Sequence, residues 1–382
     1  MSVLTPKEAA SIAEHVYEVR TNSDMNDVAT TAVSAIKDNF NVGGASRVVG
    51  SSGPLLIRQK SGFGYAAHGV GTHQGEVLIA LRGTVTERDW GSNLNIGLQQ
   101  GPGGWPVHAG FNDIFKSFSA DLQGFLRGRS PSCVHCVGHS LGGALATLTA
   151  DMLSENRGLD VKLYTFGQPR TGVGGFSRNL TSKLSATDVY RVLHTSDPVP
   201  MIPIFPFAHA PIPGNECRIE WSGGRIDLDA HSMSNYVSSV GDAGWNALRR
   251  PPPDVDWAAR TESWLKAASS GGVIPFSSYA LSMIGKALWW IMKKILVGVI
   301  GTALTLSVTV LDQLAYLLHT GAAASKAIAG YIKSLVARIF QWLGRVVPES
   351  IDVTVAFIRW VLDLLMSTLG NVARRALNTL PS

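Results

Sequence analysis

Hydrophobic and polar positions follow two different periods along the first two-thirds of the chain. The apolar runs Val77–Leu81 and Val161–Phe166 are nearly continuous, which is typical of strands covered on both faces. Between such runs lie longer segments with apolar residues at helical spacing. Strands that alternate with helices predict an α/β fold with a mostly parallel sheet.

The elements predicted from these patterns alternate along the chain. The predicted strands are Pro54–Gln59, Glu76–Leu81, Cys133–Val137, Val161–Phe166 and Val189–Leu193, and the predicted helices are Pro6–Arg20, Phe111–Arg127, Leu141–Ser154 and Gly174–Ser185. We interpret residues 1–245 as one α/β domain built from these elements.

A break in the pattern follows this domain. Pro251–Pro253 and Ser269–Gly272 interrupt residues 246–280, which we interpret as a linker. From 281 to 382 the chain is apolar with a helical period. The sequence therefore predicts a second, helical region that interacts with a membrane or docks on the first domain.

One stretch of the helical region approaches the length of a bilayer span. Ile295–Leu311 has 17 residues without a charge, at the lower limit for crossing a bilayer. Trp289 and Trp290 precede it, where interfacial aromatic side chains would lie. Length and composition alone do not decide whether this stretch spans a membrane.

The last segment, Ile351–Leu377, is amphipathic rather than uniformly apolar. Its charged residues fall on one helical stripe, apart from Arg375: Asp352, Arg359, Asp363 and Arg374. Arg359 and Asp363 have the spacing of an i,i+4 pair. The pattern is compatible with two structures, a helical bundle that closes on itself or on the α/β domain, and a surface in direct contact with a membrane.

Charge separates the two regions. The chain has 33 Lys and Arg against 28 Asp and Glu; these divide into 23 against 24 up to Met283 and 10 against 4 from Ile284 onward. Because the basic excess coincides with the apolar region, it indicates a membrane surface as partner and excludes nucleic acid. Only 16% of residues are charged, which together with the apolar content excludes a disordered chain.

The beginning of the chain and its cysteines indicate where it is made. Residues 1–20 contain no apolar core of a signal peptide, so we expect synthesis in the cytoplasm, with membrane association through the helical region or export by a non-classical route. Three cysteines do not make a disulfide framework. Cys133 and Cys136 fall on opposite faces of a predicted strand, so we expect no metal and no cofactor there.

The strongest chemical signal is a glycine-flanked serine, Gly138-His-Ser-Leu-Gly142, between a predicted strand and a predicted helix. This is the G-x-S-x-G pattern in the strand–turn–helix setting that presents a nucleophile. Glycines let the strand and helix approach closely while Ser140 takes a strained conformation. The helix that begins at Leu141 directs its free N–H groups at a developing oxyanion.

A serine hydroxyl needs a base and an orienting acid, and both are expected downstream of it. Asp197 follows the strand Val189–Leu193 at its carboxyl end, where sites in such sheets form. Two histidines are candidates for the base. The loop position of His231 after the last strand favours it over His209, although both remain open on the residues alone.

The loop after the strand Glu76–Leu81 is the expected second half of the oxyanion hole. Gly83 allows close approach of the backbone, and Thr84 offers an N–H and a hydroxyl. The segment after it carries apolar residues that predict either a surface segment or a mobile lid over the serine: Trp90, Leu94, Ile96 and Leu98.

Several of these motifs, in this order, resemble the class 3 lipase family: Ala80–Thr84, Val107–Phe111, Gly138–Ala144, Thr165–Arg170, Asp197–Pro200 and Asp229–Tyr236. The resemblance covers about residues 49–240. It implies an α/β-hydrolase fold, hydrolysis of acyl esters in lipids, and no metal. It also implies that Ser140 is the nucleophile, Asp197 the acid and His231 the base, with the amides of Thr84 and Leu141 as the oxyanion hole. The family as a whole lacks the basic apolar tail.

Three functions are compatible with this combination. The first is a lipase or phospholipase that acts at membranes, and a toxic lipase without a signal peptide resembles antibacterial effectors exported by type VI secretion. The second is a pore-forming or chaperone-binding helical module with an accessory lipase domain. The third is an intracellular esterase with a structural helical bundle. An immunity protein or a chaperone is the candidate protein partner; head group, acyl length and position of cleavage are not indicated by the sequence.

Overall fold

A computed structural model describes residues 2–21, 23–52, 59–83, 97–156, 158–212, 216–249, 255–270, 274–298 and 309–377. The strands in chain order are β1 Ser46–Ser52, β2 Gln59–His68, β3 Val77–Leu81, β4 Leu98–Gln100, β5 Pro106–His108, β6 Cys133–His139, β7 Asp160–Phe166, β8 Gly172–Val173, β9 Val189–His194, β10 Phe207–Ala208 and β11 Cys217–Ile219. The predicted strands from Glu76 onward are therefore present, whereas all of Pro54–Gln59 except its last residue lies outside the described part of the chain.

Seven strands form the main sheet, in the order β1-β2-β3-β6-β7-β9-β11. The pairs from β3 to β11 are parallel, and β1, β2 and β3 pair antiparallel at one edge. A second sheet of short strands has the order β10-β8-β5-β4. The α/β architecture with a mostly parallel sheet is thus confirmed, and the carboxyl ends of β6, β7 and β9 lie side by side.

The α-helices in chain order are α1 Pro6–His15, α2 Met25–Thr31, α3 Ser34–Lys37, α4 Ala109–Lys116, α5 Ser119–Leu126, α6 Leu141–Leu153, α7 Gly174–Leu184, α8 Met233–Val240, α9 Trp245–Leu248, α10 Trp257–Lys266, α11 Ser278–Gly298, α12 Val310–Ala324, α13 Lys326–Trp342 and α14 Val355–Leu377. The predicted helix Phe111–Arg127 is divided between α4 and α5. At the break, the Ser117 hydroxyl donates to the carbonyl of Ile114 and accepts the N–H of Ser51.

The main sheet separates two hydrophobic layers. On one face the side chains of β3 and β6 pack with α1 and α8. The layer on the other face contains residues of α4 to α7 and continues without interruption into α11 to α14, from Ile79 through Leu145 to Leu288 and Leu362. Burial of apolar surface therefore joins the helical region to the α/β domain.

The predicted linker 246–280 contains a helix, α10, which starts at an Asp256 cap whose carboxylate accepts the N–H groups of Ala258 and Ala259. Arg338 of α13 donates to the carbonyl of Trp264, and Tyr331 donates to the Glu262 carboxylate. These contacts fix α10 to the helical region, because each satisfies a polar group at a helix–helix junction.

The last helix, α14, has the predicted amphipathic character. Its buried residues recur every three or four positions, including Ile358, Leu362 and Leu369, while Asp363 is exposed. Arg359 forms an ion pair with Asp312 of α12, rather than the pair with Asp363 that its spacing suggested, since α12 and α14 pack together.

Among the described residues, one helix is long and apolar enough to cross a bilayer, namely α14. Buried core helices share this length and composition, and α14 places one face in the core. The predicted span Ile295–Leu311 lies largely outside the described residues.

Candidate active site

Ser140 occupies a sharp turn between β6 and α6. Its backbone has φ 57° and ψ −132°, a conformation that is strained for a residue with a Cβ. The flanking glycines make the turn sterically feasible. A Cβ at Gly138 would lie 2.2 Å from the Gly142 carbonyl oxygen, and a Cβ at Gly142 would lie 2.1 Å from the Leu81 carbonyl oxygen. The strand–turn–helix geometry expected of G-x-S-x-G is therefore present.

The turn should not accept a methyl group at its first glycine. We expect Gly138→Ala to lower the free energy of unfolding by about 3 kcal/mol or more, because the added Cβ meets backbone atoms that cannot rotate away. Urea denaturation followed by circular dichroism measures this.

Gly124→Ala is the matched control, since a Cβ at Gly124 in α5 would meet nothing within 4 Å. We expect it to change stability by at most about 1 kcal/mol, in the stabilising direction. Equal unfolding free energies for the two variants would contradict the steric account of the turn.

Three predicted side chains converge at the carboxyl ends of the central strands. The hydroxyl of Ser140 lies 2.9 Å from Nε2 of His231. Nδ1 of His231 lies 2.9 Å from Oδ2 and 3.1 Å from Oδ1 of Asp197. With a proton on Nδ1 that is donated to the carboxylate, Nε2 accepts the proton of the Ser140 hydroxyl. The arrangement is that of a Ser–His–Asp triad.

The Asp197 carboxylate is held by two further donors. The N–H of Val199 donates to Oδ1 at 2.9 Å, and the hydroxyl of Tyr236 donates to Oδ2 at 2.7 Å. Burial, followed by the charge of Asp197, raises the pKa of Tyr236 well above its ordinary value. The phenol therefore stays protonated and fixes the carboxylate toward His231. Tyr236 stands five residues after His231 in the quoted motif, yet its spacing alone did not identify this contact.

A second chain of hydrogen bonds connects the loops around Ser140. His139 Nε2 donates to the carbonyl of His231 at 2.9 Å, and its Nδ1 lies 2.8 Å from the Tyr17 hydroxyl. Burial and the neighbouring His231 hold the pKa of His139 well below its ordinary value. Nδ1 of the neutral ring thus accepts a hydrogen bond from the Tyr17 hydroxyl. The oxygen of the same hydroxyl accepts a hydrogen bond from the N–H of Gly83 at 3.3 Å. No sequence signal pointed to Tyr17.

The expected oxyanion-hole donors lie partly within the described residues. Leu141 is the first residue of α6 and is buried. Because the N–H groups in the first turn of a helix have no acceptor within the helix, the N–H of Leu141 remains available to a substrate oxygen. Thr84 lies outside the described residues. The preceding Gly83 adjoins the serine, because a Cβ there would lie 3.1 Å from the Cβ of Ser140.

The segment considered as a lid is only partly described. Trp90, Leu94 and Ile96 lie outside the described residues. Leu98, which the sequence suggested as an exposed residue of that segment, lies in β4 instead, where it pairs with His108 and is buried in the core. Pairing within the second sheet accounts for this difference.

The alternative base, His209, has a different environment. Its Nε2 donates to the carbonyl of Pro200 at 2.8 Å. Burial, followed by the positive charges of Arg191 and Arg170, holds the pKa of His209 well below its ordinary value. The structure thus brings His231, and not His209, into hydrogen-bond contact with Ser140 and Asp197.

The triad is closed off from solvent. Ser140, Asp197 and His231 are each 0% exposed. Helix α11 contacts the turn Val199–Met201 that follows Asp197, and α14 contacts the turn Asp229–His231. In this conformation a molecule in solution contacts none of the three side chains.

A separate buried cluster lies at the opposite ends of β3 and β6. Glu76 accepts hydrogen bonds from His73 at 2.6 Å and from His135 at 2.8 Å, and also from Ser2. Although burial opposes ionisation, these donors lower the pKa of Glu76 to about 2. In the described part of the chain this group has the donor atoms for a metal, all within 4.8 Å. The side chains satisfy one another, and the cluster joins the first residues to the sheet.

Comparisons with known proteins match part of the α/β domain. The family model for lipase (class 3) matches residues 78–207. A secreted mono- and diacylglycerol lipase of Fusarium solani is 34% identical over 171 residues, covering 42% of this chain and 49% of the relative. A lipase of Rhizomucor miehei is 33% identical over 152 residues, covering 37% of this chain and 41% of the relative.

A chloroplastic phospholipase A(1) of Arabidopsis thaliana is 30% identical over 152 residues, covering 34% of each chain. The chain spans half or less of the length of these relatives. Among solved structures, a triacylglyceride lipase of Rhizomucor miehei is 24% identical, with a TM-score of 0.41, covering 56% of this chain and 78% of that one. Residues 78–207 of this chain therefore match the model of the class 3 lipase family, and its curated relatives over this part include proteins named as lipases.

Proposed function

We propose that this protein is a serine hydrolase that cleaves carboxylic esters of lipids through an acyl-enzyme. The observation that carries the proposal is the hydrogen-bonded series Ser140–His231–Asp197, with 2.9 Å at both histidine nitrogens, at a strained turn before a helix N-terminus. Similarity to the lipase (class 3) family model and to relatives named as lipases supports the same reaction class.

The reaction uses each side chain at a stated atom. Nε2 of His231 takes the proton of the Ser140 hydroxyl as its oxygen attacks the ester carbonyl. The Asp197 carboxylate, held by Tyr236 and Val199, stabilises the imidazolium that forms. The proton then passes to the departing alcohol, and a water molecule activated by the same histidine hydrolyses the acyl-Ser140 ester.

The developing oxyanion is proposed to bind at the start of α6. The N–H of Leu141 and the positive end of the helix dipole supply one side of the hole. We propose Thr84 as the second donor, since Gly83 adjoins Ser140 and its N–H is held by Tyr17. Trp90, Leu94 and Ile96 remain our proposal for a lid.

We further propose that hydrolysis takes place at membranes, and that the protein is an antibacterial effector whose helical region, residues 281–382, delivers the site to lipid. The basic excess of that region and its exposed aromatic residues support the membrane part: Trp289 is 40%, Tyr316 59% and Trp360 47% exposed. Aromatic and cationic side chains together favour the interface between water and lipid. An immunity or chaperone protein is proposed as partner of the same helical region.

A lipid panel tests the proposed reaction and its substrate. Full-length protein is incubated with diacylglycerol, triacylglycerol, phosphatidylglycerol and phosphatidylethanolamine in detergent micelles and in vesicles, and released fatty acid is quantified by mass spectrometry. We expect fatty acid release from at least one lipid. Release from vesicles should be faster than hydrolysis of a monomeric short-chain ester assayed in parallel, because we propose that the buried triad opens on a lipid surface.

The arms of the panel separate the parts of the proposal. Release from the two phospholipids supports attack on bacterial membranes, whereas release confined to acylglycerols contradicts the effector role and leaves a lipase. No release from any ester, by protein shown to be folded, contradicts the proposed function itself.

A further inference from the structure

A cleft of about 650 Å³ lies where the α/β domain meets the helical region. We call it the junction cleft. Its walls are almost wholly apolar and are formed by Phe205 and Pro206 on one side and by Trp289, Trp290 and Met292 of α11 on the other. The volume falls within the range of small-molecule sites in proteins.

The walls of the junction cleft are ordered by direct packing. The rings of Phe205 and Trp289 meet edge to face with centroids 4.6 Å apart. The indole of Trp289 also lies against the start of α7, where a Cβ at Gly174 would come within 3.3 Å of it. The ring of Trp290 packs edge to face against the ring of Tyr331, with centroids 4.8 Å apart. The cleft is therefore a formed apolar surface and not a gap between loosely placed side chains.

Three cations border this apolar surface, namely Arg178, Lys286 and Lys293. Within the described part of the chain, none of the three lies within ion-pair distance of a carboxylate. The ammonium of Lys286 lies over the ring of Trp257. Partial burial, followed by the charges of Arg218 and Arg260, lowers the pKa of Lys286 to about 8. The cleft therefore combines apolar walls with three positive charges, of which that of Lys286 also feels the attraction of Glu216.

This combination defines the chemistry of a ligand. An acyl chain suits the aromatic and aliphatic walls, and an anionic head suits the three cations. Apart from the three cations and the indoles, the described lining of the cleft contains one side chain able to form hydrogen bonds, that of Thr261. So sparse a set of polar partners favours a small carboxylate over a glycerophosphate head group, which carries many more acceptors.

We propose that the junction cleft binds a long-chain fatty acid anion, with its chain against Phe205, Trp289 and Trp290 and its carboxylate at Lys286, Lys293 and Arg178. The proposal rests on the proposed function only for the source of the ligand, since a fatty acid is the acid product of lipid ester hydrolysis. Binding itself requires no turnover.

Tryptophan fluorescence tests the proposal directly, because three indoles line the cleft and bromine quenches fluorescence on contact. The full chain carrying Ser140→Ala, which removes turnover, is titrated with dibrominated stearic acid below its micelle concentration. We expect saturable quenching with one site per chain. The neutral methyl ester of the same acid should bind about tenfold more weakly, because it lacks the charge that the cations recognise.

Charge variants made in the same Ser140→Ala background locate the head group. Lys286→Met combined with Lys293→Gln should weaken binding of the brominated acid about tenfold and leave binding of its methyl ester unchanged. Lys326→Gln is the matched control, as it removes an exposed cation of the same helical region from the start of α13, and it should leave both affinities unchanged. If the double variant unfolds, Arg178→Gln on the exposed face of α7 replaces it, with an expected loss of about threefold.

Other outcomes overturn the proposal. Equal affinity for the acid and its methyl ester, or an equal loss in Lys326→Gln, would show that the cleft does not read a carboxylate. Quenching that appears only with vesicles of phosphatidylglycerol carrying brominated chains would assign the surface to membrane contact instead. Because the titration uses a variant without turnover, these failures are independent of the lipid panel, and saturable binding by a protein that hydrolyses no ester would reject the proposed function alone.

Discussion

Replacement of Ser140 by alanine should lower kcat for ester hydrolysis by about 10⁶-fold, down to the residual rate that binding and the oxyanion hole sustain. The substitution removes the oxygen that attacks the carbonyl, and none of the groups that hold the turn depends on that oxygen: the N–H of residue 140 donates to the Phe166 carbonyl at 2.9 Å. The measurement is the initial rate on a short-chain chromogenic ester and on the best lipid of the panel.

Ser34→Ala provides the matched control for this result. Ser34 is an exposed serine at the start of α3, and its loss should leave kcat within about twofold. Thermal unfolding of the unsubstituted protein, Ser140→Ala and Ser34→Ala verifies that the comparison of kcat concerns folded chains. Activity in Ser140→Ala within tenfold of the unsubstituted protein would remove the proposed nucleophile and the acyl-enzyme with it.

Replacement of His231 by alanine should be almost as damaging, again about 10⁶-fold in kcat, whereas His209→Ala should retain kcat within about threefold. The reason is geometric. His231 bridges the hydroxyl of Ser140 and the Asp197 carboxylate, while His209 donates to the Pro200 carbonyl. His209→Ala should instead lower the free energy of unfolding by about 1 kcal/mol, as expected for one lost hydrogen bond.

The two histidine variants act as controls for each other in one pair of measurements, kcat and the midpoint of urea denaturation. The reverse pattern, with turnover lost in His209→Ala and kept in His231→Ala, would show that the base has been assigned to the wrong residue. Similar loss of turnover in both variants at equal stability would contradict the view that His209 only supports the loop.

The parts of the site that the sequence predicted are those set by short motifs. Gly138 to Gly142 carries the turn geometry in five consecutive residues, and the place of Asp197 follows from the end of one strand. The choice between His209 and His231 required the structure, because it depends on how two loops fold back to Ser140 from 69 and 91 positions further along the chain. Local sequence patterns contain no information about contacts between residues so far apart in the chain.

Contacts between distant elements were missed for the same reason. Tyr17 reaches His139 across 122 positions of sequence, and α12 supplies Asp312 to Arg359 across 47. Neither partner stands at a spacing that a helix or strand would impose. The sequence did not predict helix α10 because Pro251–Pro253 and Ser269–Gly272 flank it and its ten residues show only a weak helical period of apolar positions. Its stability comes instead from contacts with Arg338 and Tyr331 of α13.

Helices α11 and α14 pack against the turn that follows Asp197 and the turn that contains His231, respectively, and this packing has a consequence for substrate binding. If an acyl chain reaches Ser140 only after those contacts open, the energy that keeps the helices in place is subtracted from the affinity for every substrate. On the proposed function, thermodynamic reciprocity then requires that a lipid surface which draws the helices away also raises the affinity for substrate by the same factor, and that a bound acyl chain strengthens adhesion of the helices to the surface. Under the proposed function, these packing contacts would therefore link the resting state in water to the active state on lipid.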